Sequence, residues 1–229
     1  MMHMFHPDER ELIAQIKEQG QERQLWALHI GGVTEYEMVV NGVFIMSTYN
    51  WETEMLLVRK GLERIQAQNP AILIGGLGMG FSVKEACLHP KQAASIDVVE
   101  IDPVVLEWNR TLIDRNRAYL TDPRVRVVQD DFIDYVQNTK KSYHCICMDI
   151  DNGPALLVYE KNSYAYSSSF FAQVRSLLRP GGVFAVWSGN ENETLLSDLS
   201  LSFPSCLVEE IEQDILGKKV SYYLYFGLT

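Results

Sequence analysis

Residues 71–102 read AILIGGLGMGFSVKEACLHPKQAASIDVVEID, a segment in which apolar runs alternate with structural breaks. A short apolar run leads into the glycines of Gly75–Gly80, a helical segment follows, and a second β-branched run ends at Glu100. This order predicts a strand, a glycine turn, a helix and a strand that ends in an acid, which is the βαβ arrangement that holds an adenosine-type ligand. A tight turn without any ligand is the alternative explanation of the glycines.

The acid at the end of the second apolar run lies at the distance from the glycines that is typical of a residue that binds ribose. Glu100 stands 20 residues after Gly80, where a carboxylate can accept hydrogen bonds from both ribose hydroxyls. Asp130 also ends an apolar run, and it could accept from an adenine amino group. Its alternative role is to cap the next helix, which Asp131 fits equally well. The predicted nucleoside-binding residues are Gly75, Gly76, Gly78, Gly80, Glu100, Ile101, Asp130 and Asp131.

Composition is that of an ordinary globular protein. The 229 residues are 47% hydrophobic and 22% charged, which suits one large α/β domain with a small appendage. The net charge of −10 argues against a nucleic-acid partner and is compatible with a small cationic substrate. Simple solubility explains the same charge equally well.

The cysteines indicate a reducing compartment. Cys145 and Cys147 stand two residues apart in an apolar run, so they share one face of a predicted strand, and the four cysteines lack metal-ligand spacing. We therefore expect buried, reduced thiols, no metal and a cytoplasmic protein. No apolar run approaches the ~18 residues that span a bilayer, and no signal-peptide pattern opens the sequence, so we expect no association with a membrane.

The first 50 residues predict a small module of their own. Leu12, Ile13 and Ile16 predict an amphipathic helix over residues 8–23. Two apolar runs then flank Asn41-Gly42, a dipeptide typical of the tight turn of a β-hairpin. We expect residues 1–50 to form a helix and a β-hairpin module in front of the main domain.

Strands and helices alternate through the rest of the chain. The predicted helices cover residues 53–68, 103–119, 133–137, 168–178 and 191–199, and residues 207–211 and 220–226 predict a closing antiparallel pair. This alternation predicts a doubly wound, Rossmann-like, mostly parallel α/β sheet over residues 51–229. Such sheets bind ligands at the carboxyl ends of their strands. The residues at those ends are the glycine turn, Glu100, Asp130, Asp149 and Trp187.

Several segments, taken together, resemble the spermidine synthases. They are the glycine turn at 72–80, VEID at 99–102, DPRV at 122–125, QDDF at 129–132 and DIDNGP at 149–154. This family of polyamine aminopropyltransferases is built on the fold of S-adenosylmethionine-dependent methyltransferases. The resemblance runs from about residue 34 to the C-terminus, and it implies a seven-stranded sheet of the methyltransferase type.

The resemblance also implies a reaction. Decarboxylated S-adenosylmethionine would be the donor, with Glu100 on its ribose and Asp130 on its adenine, and a small cationic amine would be the acceptor. The amine nitrogen would attack the carbon beside the sulfonium in line, which requires a group that takes a proton. The resemblance assigns that work to Asp149, with Asp151 in the same catalytic loop, whereas capping of that loop is the alternative role of Asp149.

The acceptor half departs from the family. At the position where spermidine synthases carry an aspartate that holds the donor's ammonium, this chain has Gly78. In the segment WETEM at 51–55, Thr53 replaces the family's histidine, and Glu54 is the matching acid. Trp187 stands where the family has a glutamine. We expect Glu54, Tyr164 and Trp187 on the substrate side, although helix capping explains Glu54 and packing explains the aromatic residues as well.

Three functions remain open at this point. The first is aminopropyl transfer to a polyamine. The second is methyl transfer from intact S-adenosylmethionine on the same scaffold, because the absence of an acid at Gly78 removes a repulsion against the donor's carboxylate. The third is a nucleotide-binding protein without catalysis. The resemblance and the alternating apolar residues of the hairpin also predict a homodimer.

Overall fold

The computed structural model describes residues 10–18, 20–150, 153–154, 157, 160–215 and 217–229. The chain divides into two compact units, Met1–Trp51 and Glu52–Thr229. Among the helices of the described residues, none has both the length and the apolar composition that crossing a bilayer would need.

The N-terminal unit is a four-stranded antiparallel sheet in sequential order. Its strands are β1 (Arg10–Glu18), β2 (Gln21–Ile30), β3 (Val33–Val40) and β4 (Val43–Ser47). The predicted hairpin is confirmed: Val40 pairs with Val43, and Asn41 and Gly42 have φ values of +50° and +79°, as a turn with two left-handed residues requires.

The predicted helix over residues 8–23 is wrong. Residues 10–18 form β1, which pairs along its length with β2, and the last three residues of the predicted helix, 21–23, belong to β2 itself. The spacing of the apolar residues fits either structure, because Leu12, Ala14 and Ile16 also alternate as a strand does. Ala14 and Ile16 are half-buried while their neighbours are exposed, so pairing with β2 decides the conformation.

The C-terminal unit holds a seven-stranded sheet flanked by helices. The strands are β5 (Ala71–Gly75), β6 (Ser95–Glu100), β7 (Val125–Gln129), β8 (Tyr143–Met148), β9 (Leu178–Ser188), β10 (Ser205–Ile215) and β11 (Lys218–Leu228). The helices are α1 (Glu52–Glu63), α2 (Phe81–Leu88), α3 (Pro103–Thr111), α4 (Arg117–Leu120), α5 (Phe132–Asn138), α6 (Ser168–Leu177) and α7 (Glu193–Ser202).

The strand order is β10-β11-β9-β8-β5-β6-β7, and every pairing is parallel except those of β11. The predicted doubly wound, seven-stranded sheet is confirmed. From β5 the chain winds outward through β6 and β7 and then returns to the other side of β5 with β8. The point between β5 and β8 is therefore the topological switch, where the loops at the carboxyl ends diverge and leave a crevice.

Helices pack against both faces of the sheet. On one face, α1 lies close enough that a Cβ added to Gly61 would be 2.9 Å from Cys145 Sγ and 3.7 Å from the Ala185 Cβ. On the other face, Phe132, Phe170 and Phe184 belong to a large buried cluster that also receives side chains of α6 and α7. Cys145 and Cys147 share the α1 face with their Sγ atoms 3.7 Å apart, as their spacing predicts.

The predicted helix over residues 103–119 is interrupted. α3 ends at Thr111, where the N–H groups of Leu112 and Ile113 both donate to the carbonyl of Trp108, and helical structure resumes only at Arg117. The start is as expected, with Pro103 in the first turn and Asp102 as the cap that accepts from Val104 N at 2.9 Å.

Candidate functional site at the carboxyl ends of the strands

The glycine turn is packed too closely for larger residues at two positions. Gly76 has a φ of +90°, and a Cβ placed on it would lie 2.0 Å from the backbone oxygen of Asp149. A Cβ on Gly75 would lie 2.6 Å from the ring of Phe132. Asp149 N donates to Gly75 O at 2.9 Å, so the loop after β8 is joined directly to the turn after β5. The glycines thus bring the two sides of the switch point into contact.

Glu100 is buried at the end of β6 and faces the same turn. One carboxylate oxygen accepts from Leu77 N at 2.9 Å and the other from Asp102 N at 2.8 Å. Burial raises the pKa of the Glu100 carboxyl, although the backbone N–H groups that it binds act in the opposite direction. Each oxygen keeps a second lone-pair direction, because a carboxylate can accept about four hydrogen bonds. The carboxylate is therefore fixed in position and still able to accept from a ligand.

A cavity opens beside this carboxylate. Gly76 comes from the glycine turn, Ile101 follows β6, and Phe132 begins α5. The full set of lining residues is Gly76, Val99, Glu100, Ile101, Asp131, Phe132, Ile150 and Asn162. Four predicted nucleoside-binding residues, Gly76, Glu100, Ile101 and Asp131, thus meet around one cavity, and Ile150 lines it from the loop after β8.

The two aspartates after β7 have different roles. Asp131 is the cap of α5, with its Oδ1 accepting from Ile133 N at 2.9 Å, and its other oxygen pairs with Lys161. Asp130 is exposed, and its carboxylate accepts from the N–H of Asp131 at 2.9 Å, while its own N–H donates to Glu100 O at 3.1 Å. Asp131 thus fills the capping role, whereas Asp130 is exposed and is not among the described residues that line the cavity.

A pair of carboxylates lies next to the glycine turn on its other side. Glu54 is half-buried in the first turn of α1, and Asp149 follows β8. Burial, and then the negative charge of Asp149, raise the pKa of Glu54 well above its ordinary value. The pair therefore holds on to a proton at a pH where isolated carboxyl groups have lost theirs, and a cation placed beside it would reverse that effect.

The pairing of β8 and β9 places Trp187 near this carboxylate pair. Met148 pairs with Val186, and both side chains belong to the buried cluster opposite α1. Since side chains alternate along strands, the next positions, Asp149 and Trp187, point to the α1 face. Trp187 is nearly buried there and contacts Tyr222, with ring centroids 5.3 Å apart.

Two further predicted residues lie elsewhere. Tyr164 packs edge-on against Phe170 with centroids 5.8 Å apart, and its hydroxyl accepts from Gln173 Nε2 at 3.0 Å. These contacts serve packing, and a role in substrate binding stays a prediction. Asp151 lies outside the described residues. Gly153, in the same loop, passes so close to β9 that a Cβ on it would be 2.3 Å from Ser188 Oγ.

Sequence reasoning missed the asparagines that bind the glycine turn. Asn109 Nδ2 donates to Gly78 O at 2.9 Å, and Asn116 Nδ2 donates to Met79 O at 2.8 Å. A further asparagine, Asn162, lines the cavity. The available signal was composition: asparagine is unfavourable inside a helix, yet two of these residues fall within the predicted helix of residues 103–119.

The sheet and the crevice at its switch point define the class: a doubly wound α/β protein of the methyltransferase type. A family model for the spermine/spermidine synthase domain matches residues 41–201. The chain belongs to the spermine/spermidine synthase family, and the predicted resemblance is confirmed.

Individual relatives divide between two activities. Over 134 residues the chain is 35% identical to putrescine N-methyltransferase 2 of Nicotiana attenuata, covering 57% of this chain and 33% of that protein. It is 28% identical to the polyamine aminopropyltransferase of Prochlorococcus marinus (strain MIT 9215), covering 58% of this chain and 45% of that protein. The chain thus matches less than half the length of these curated relatives.

A solved structure supports the fold over almost the whole chain. The spermidine synthase from Thermotoga maritima superposes with a TM-score of 0.76 at 17% identity, covering 95% of this chain and 72% of that one. At this identity the likeness concerns the fold.

Proposed function

We propose that this protein is a transferase that binds an S-adenosylmethionine-type sulfonium donor and alkylates a small cationic amine, with aminopropyl transfer to a polyamine as the leading reaction. The observation that carries the proposal is the junction at Gly75, Gly76 and Asp149. There the predicted nucleoside pocket and the carboxylate pair share one boundary, so a sulfonium at the end of a nucleoside would lie next to an amine held by carboxylates.

The nucleoside part of the proposal rests on Glu100. Its carboxylate is buried, held by two backbone N–H groups and directed at the cavity beside the glycine turn. We assign the ribose hydroxyls to Glu100 and the adenine edge to Asp130 and Asp131, at the end of the neighbouring strand. The predicted glycine contacts, at Gly75, Gly76, Gly78 and Gly80, would allow the backbone to approach the ligand closely.

The amine part rests on Glu54 and Asp149. An alkylammonium ion must lose a proton before its nitrogen can attack, and a carboxylate at the end of β8 is positioned to take it. The nitrogen then forms a bond to the carbon beside the sulfonium. The carbon–sulfur bond breaks with its electrons going to sulfur, which leaves a neutral thioether. Asp149 serves as the base, and Glu54 with Trp187 holds the cationic amine.

A second candidate, methyl transfer from intact S-adenosylmethionine, is favoured by one position. Gly78 carries no carboxylate, so nothing at that position attracts the ammonium of the decarboxylated donor or repels the carboxylate of the intact one. The similarity to a putrescine N-methyltransferase points the same way. Both reactions use the same amine site and differ in the carbon that is attacked.

Calorimetry and product analysis distinguish these functions. We expect binding of decarboxylated or intact S-adenosylmethionine that weakens strongly in Glu100→Ala. Release of methylthioadenosine that depends on putrescine supports aminopropyl transfer, whereas release of S-adenosylhomocysteine supports methyl transfer. Binding without turnover across a panel of amines would overturn both and leave a non-catalytic nucleotide-binding protein. Absence of binding would reject the whole proposal.

We also propose a cytoplasmic homodimer. Leu12, Ile13, Val33, Val43 and Phe44 are large apolar side chains of the N-terminal unit that are 39–61% exposed, which is the kind of surface that association covers. Light scattering of the purified protein, compared with a Val43→Lys/Phe44→Lys variant, tests the assembly. A monomer at micromolar concentration would contradict it.

A further inference from the structure

The glycine turn is held by hydrogen bonds along its whole length. Gly76 N donates to Val99 O at 2.8 Å, Leu77 N to Glu100, and Gly80 N to Leu77 O at 2.9 Å. The carbonyls of Gly78 and Met79 accept from the side chains of two asparagines at 2.9 and 2.8 Å. Glycine gives this segment the largest conformational freedom of any residue, so these bonds determine which conformation it takes.

The two asparagines are buried and belong to the interrupted helix. Asn109 is 2% exposed on α3, and its Nδ2 also donates to Val105 O at 2.9 Å. Asn116 is 2% exposed between α3 and α4. The absent side chain of Gly80 makes room for it, since a Cβ there would lie 3.1 Å from the Cβ of Asn116. Helix, break and glycine turn therefore fit one another.

We infer that Asn109 and Asn116 are positioning residues for the nucleoside. They hold the carbonyls of Gly78 and Met79 toward α3, so that Leu77 N remains on Glu100 and Glu100 remains aimed at the ribose. Neither asparagine touches the ligand; each acts through the glycine turn. This inference rests on the proposed function, because it concerns the affinity of the proposed nucleoside pocket.

A feature of Asn116 separates this role from simple packing. Among the described residues, its Oδ1 is buried and has no hydrogen-bond partner. A buried acceptor without a partner is destabilising, and an apolar side chain of similar shape would avoid that cost. The amide is thus poorly suited to stability alone, whereas its Nδ2 donates the hydrogen bond that holds the Met79 carbonyl at 2.8 Å.

The test is Asn116→Leu, which keeps the approximate volume and removes the donor. We expect its melting temperature to stay within about 3 °C of the wild type, because the lost bond and the removed orphan acceptor offset each other. Calorimetry with S-adenosylhomocysteine and methylthioadenosine should show binding that is roughly tenfold weaker, as expected for loss of one hydrogen bond that holds the turn. In turnover, the KM for the donor should rise, while kcat and the KM for the amine stay unchanged.

Asn109→Ala is the second variant, and it should weaken binding in the same way. It keeps the inference testable if Asn116→Leu does not fold. Asn138→Leu is the matched control, since Asn138 Nδ2 donates to Asp134 O at 2.8 Å on an exposed face of α5, without contact to the turn. Wild-type protein that binds the probes while both variants bind equally well would overturn this inference alone. Wild-type protein that binds neither probe would overturn the proposed function and this inference with it.

Discussion

The two halves of the candidate site differ in how the fold stabilises their carboxylates. In the nucleoside half (Gly75–Gly80 and Glu100), burial raises the pKa of the Glu100 carboxyl, and the backbone hydrogen bonds that it accepts from Leu77 and Asp102 oppose that rise. In the amine half (Glu54, Asp149 and Trp187), burial and the negative charge of Asp149 raise the pKa of Glu54, and no hydrogen bond from the described residues opposes that rise. We therefore expect the nucleoside half to be organised before a ligand binds, and the amine half to be stabilised further when a cation binds beside its carboxylates.

This difference indicates where specificity resides. A pocket that is already hydrogen-bonded tolerates little change, and its glycines have no room for a side chain at positions 75 and 76. A pair of carboxylates accepts any cation of suitable size and shape. A putrescine N-methyltransferase and a polyamine aminopropyltransferase each match the chain over 134 residues, as a fixed nucleoside half with an adaptable amine half would allow.

The largest effect is expected for Asp149→Asn. The amide cannot take a proton from the ammonium, so kcat should fall by about 10²–10⁴-fold. Donor affinity should stay within about twofold, because asparagine keeps the backbone N–H that joins residue 149 to Gly75 O. Steady-state kinetics with calorimetry measures both quantities. Asp114→Asn, at an exposed position, is the control. Full activity in Asp149→Asn would remove this residue as the base.

Glu100→Ala should break the nucleoside half. Loss of the ribose contacts predicts that donor binding weakens by at least about 100-fold, since hydrogen bonds to a charged group contribute about 1.5–3 kcal/mol each. The variant should also melt several degrees lower, because Leu77 N and Asp102 N lose their acceptor. Calorimetry and thermal unfolding test the two effects, with Glu107→Ala on the exposed side of α3 as control. Unchanged affinity would refute the ribose role.

Gly78→Asp tests how a negative charge in the glycine turn changes the preference between the two donors. The carboxylate should shift preference toward the decarboxylated donor by roughly tenfold, through attraction of its ammonium and repulsion of the intact donor's carboxylate. Gly78 has a φ of +53°, a left-handed conformation that asparagine and aspartate tolerate best among residues with a side chain. Gly78→Asn has the same backbone strain without the charge, so it is the matched control. Equal donor preference in the two variants would contradict this account.

Local patterns were sufficient to predict most of the fold. The alternation of strands and helices, the Asn41-Gly42 hairpin and the acid at Glu100 all depend on residues close in sequence. The predictions that are wrong depend on distant partners. β1 is a strand because it pairs with β2, and the helix from residue 103 ends early in a region where Asn109 and Asn116 bind carbonyls 31 and 37 residues away.

The candidate site divides in the same way. Spacing alone marked Glu100, since its distance from the glycines is set by one βαβ unit. Asp149 and Glu54 are far apart in the chain and meet only because α1 packs on the face of the sheet to which Asp149 points. Their mutual effect on the pKa of Glu54 could not be read from residue types, because it arises from burial and from a charge contributed by another element.

The smallest effects are expected for Glu54→Gln, which tests the amine half directly. A carboxyl group whose pKa is raised in the folded state binds a proton there more tightly than in the unfolded chain. Its contribution to stability is therefore present at low pH and is lost as the pH rises from the ordinary glutamate pKa through the raised one. Glutamine carries no charge, so the variant does not lose stability at this position as the pH rises.

The variant should consequently melt about 2–4 °C higher than the wild type above neutral pH, with the difference vanishing near pH 4. Its KM for the amine should rise several-fold, because one of two negative charges is gone, and the wild-type decrease of that KM with rising pH should flatten. Glu52→Gln is the control: Glu52 stands two residues before Glu54 and accepts a hydrogen bond from Gln213, so this variant should change neither quantity. A Glu54→Gln protein that is less stable than the wild type at pH 8 would mean that Glu54 is satisfied by a partner inside the fold, and the contrast between the two halves would not hold.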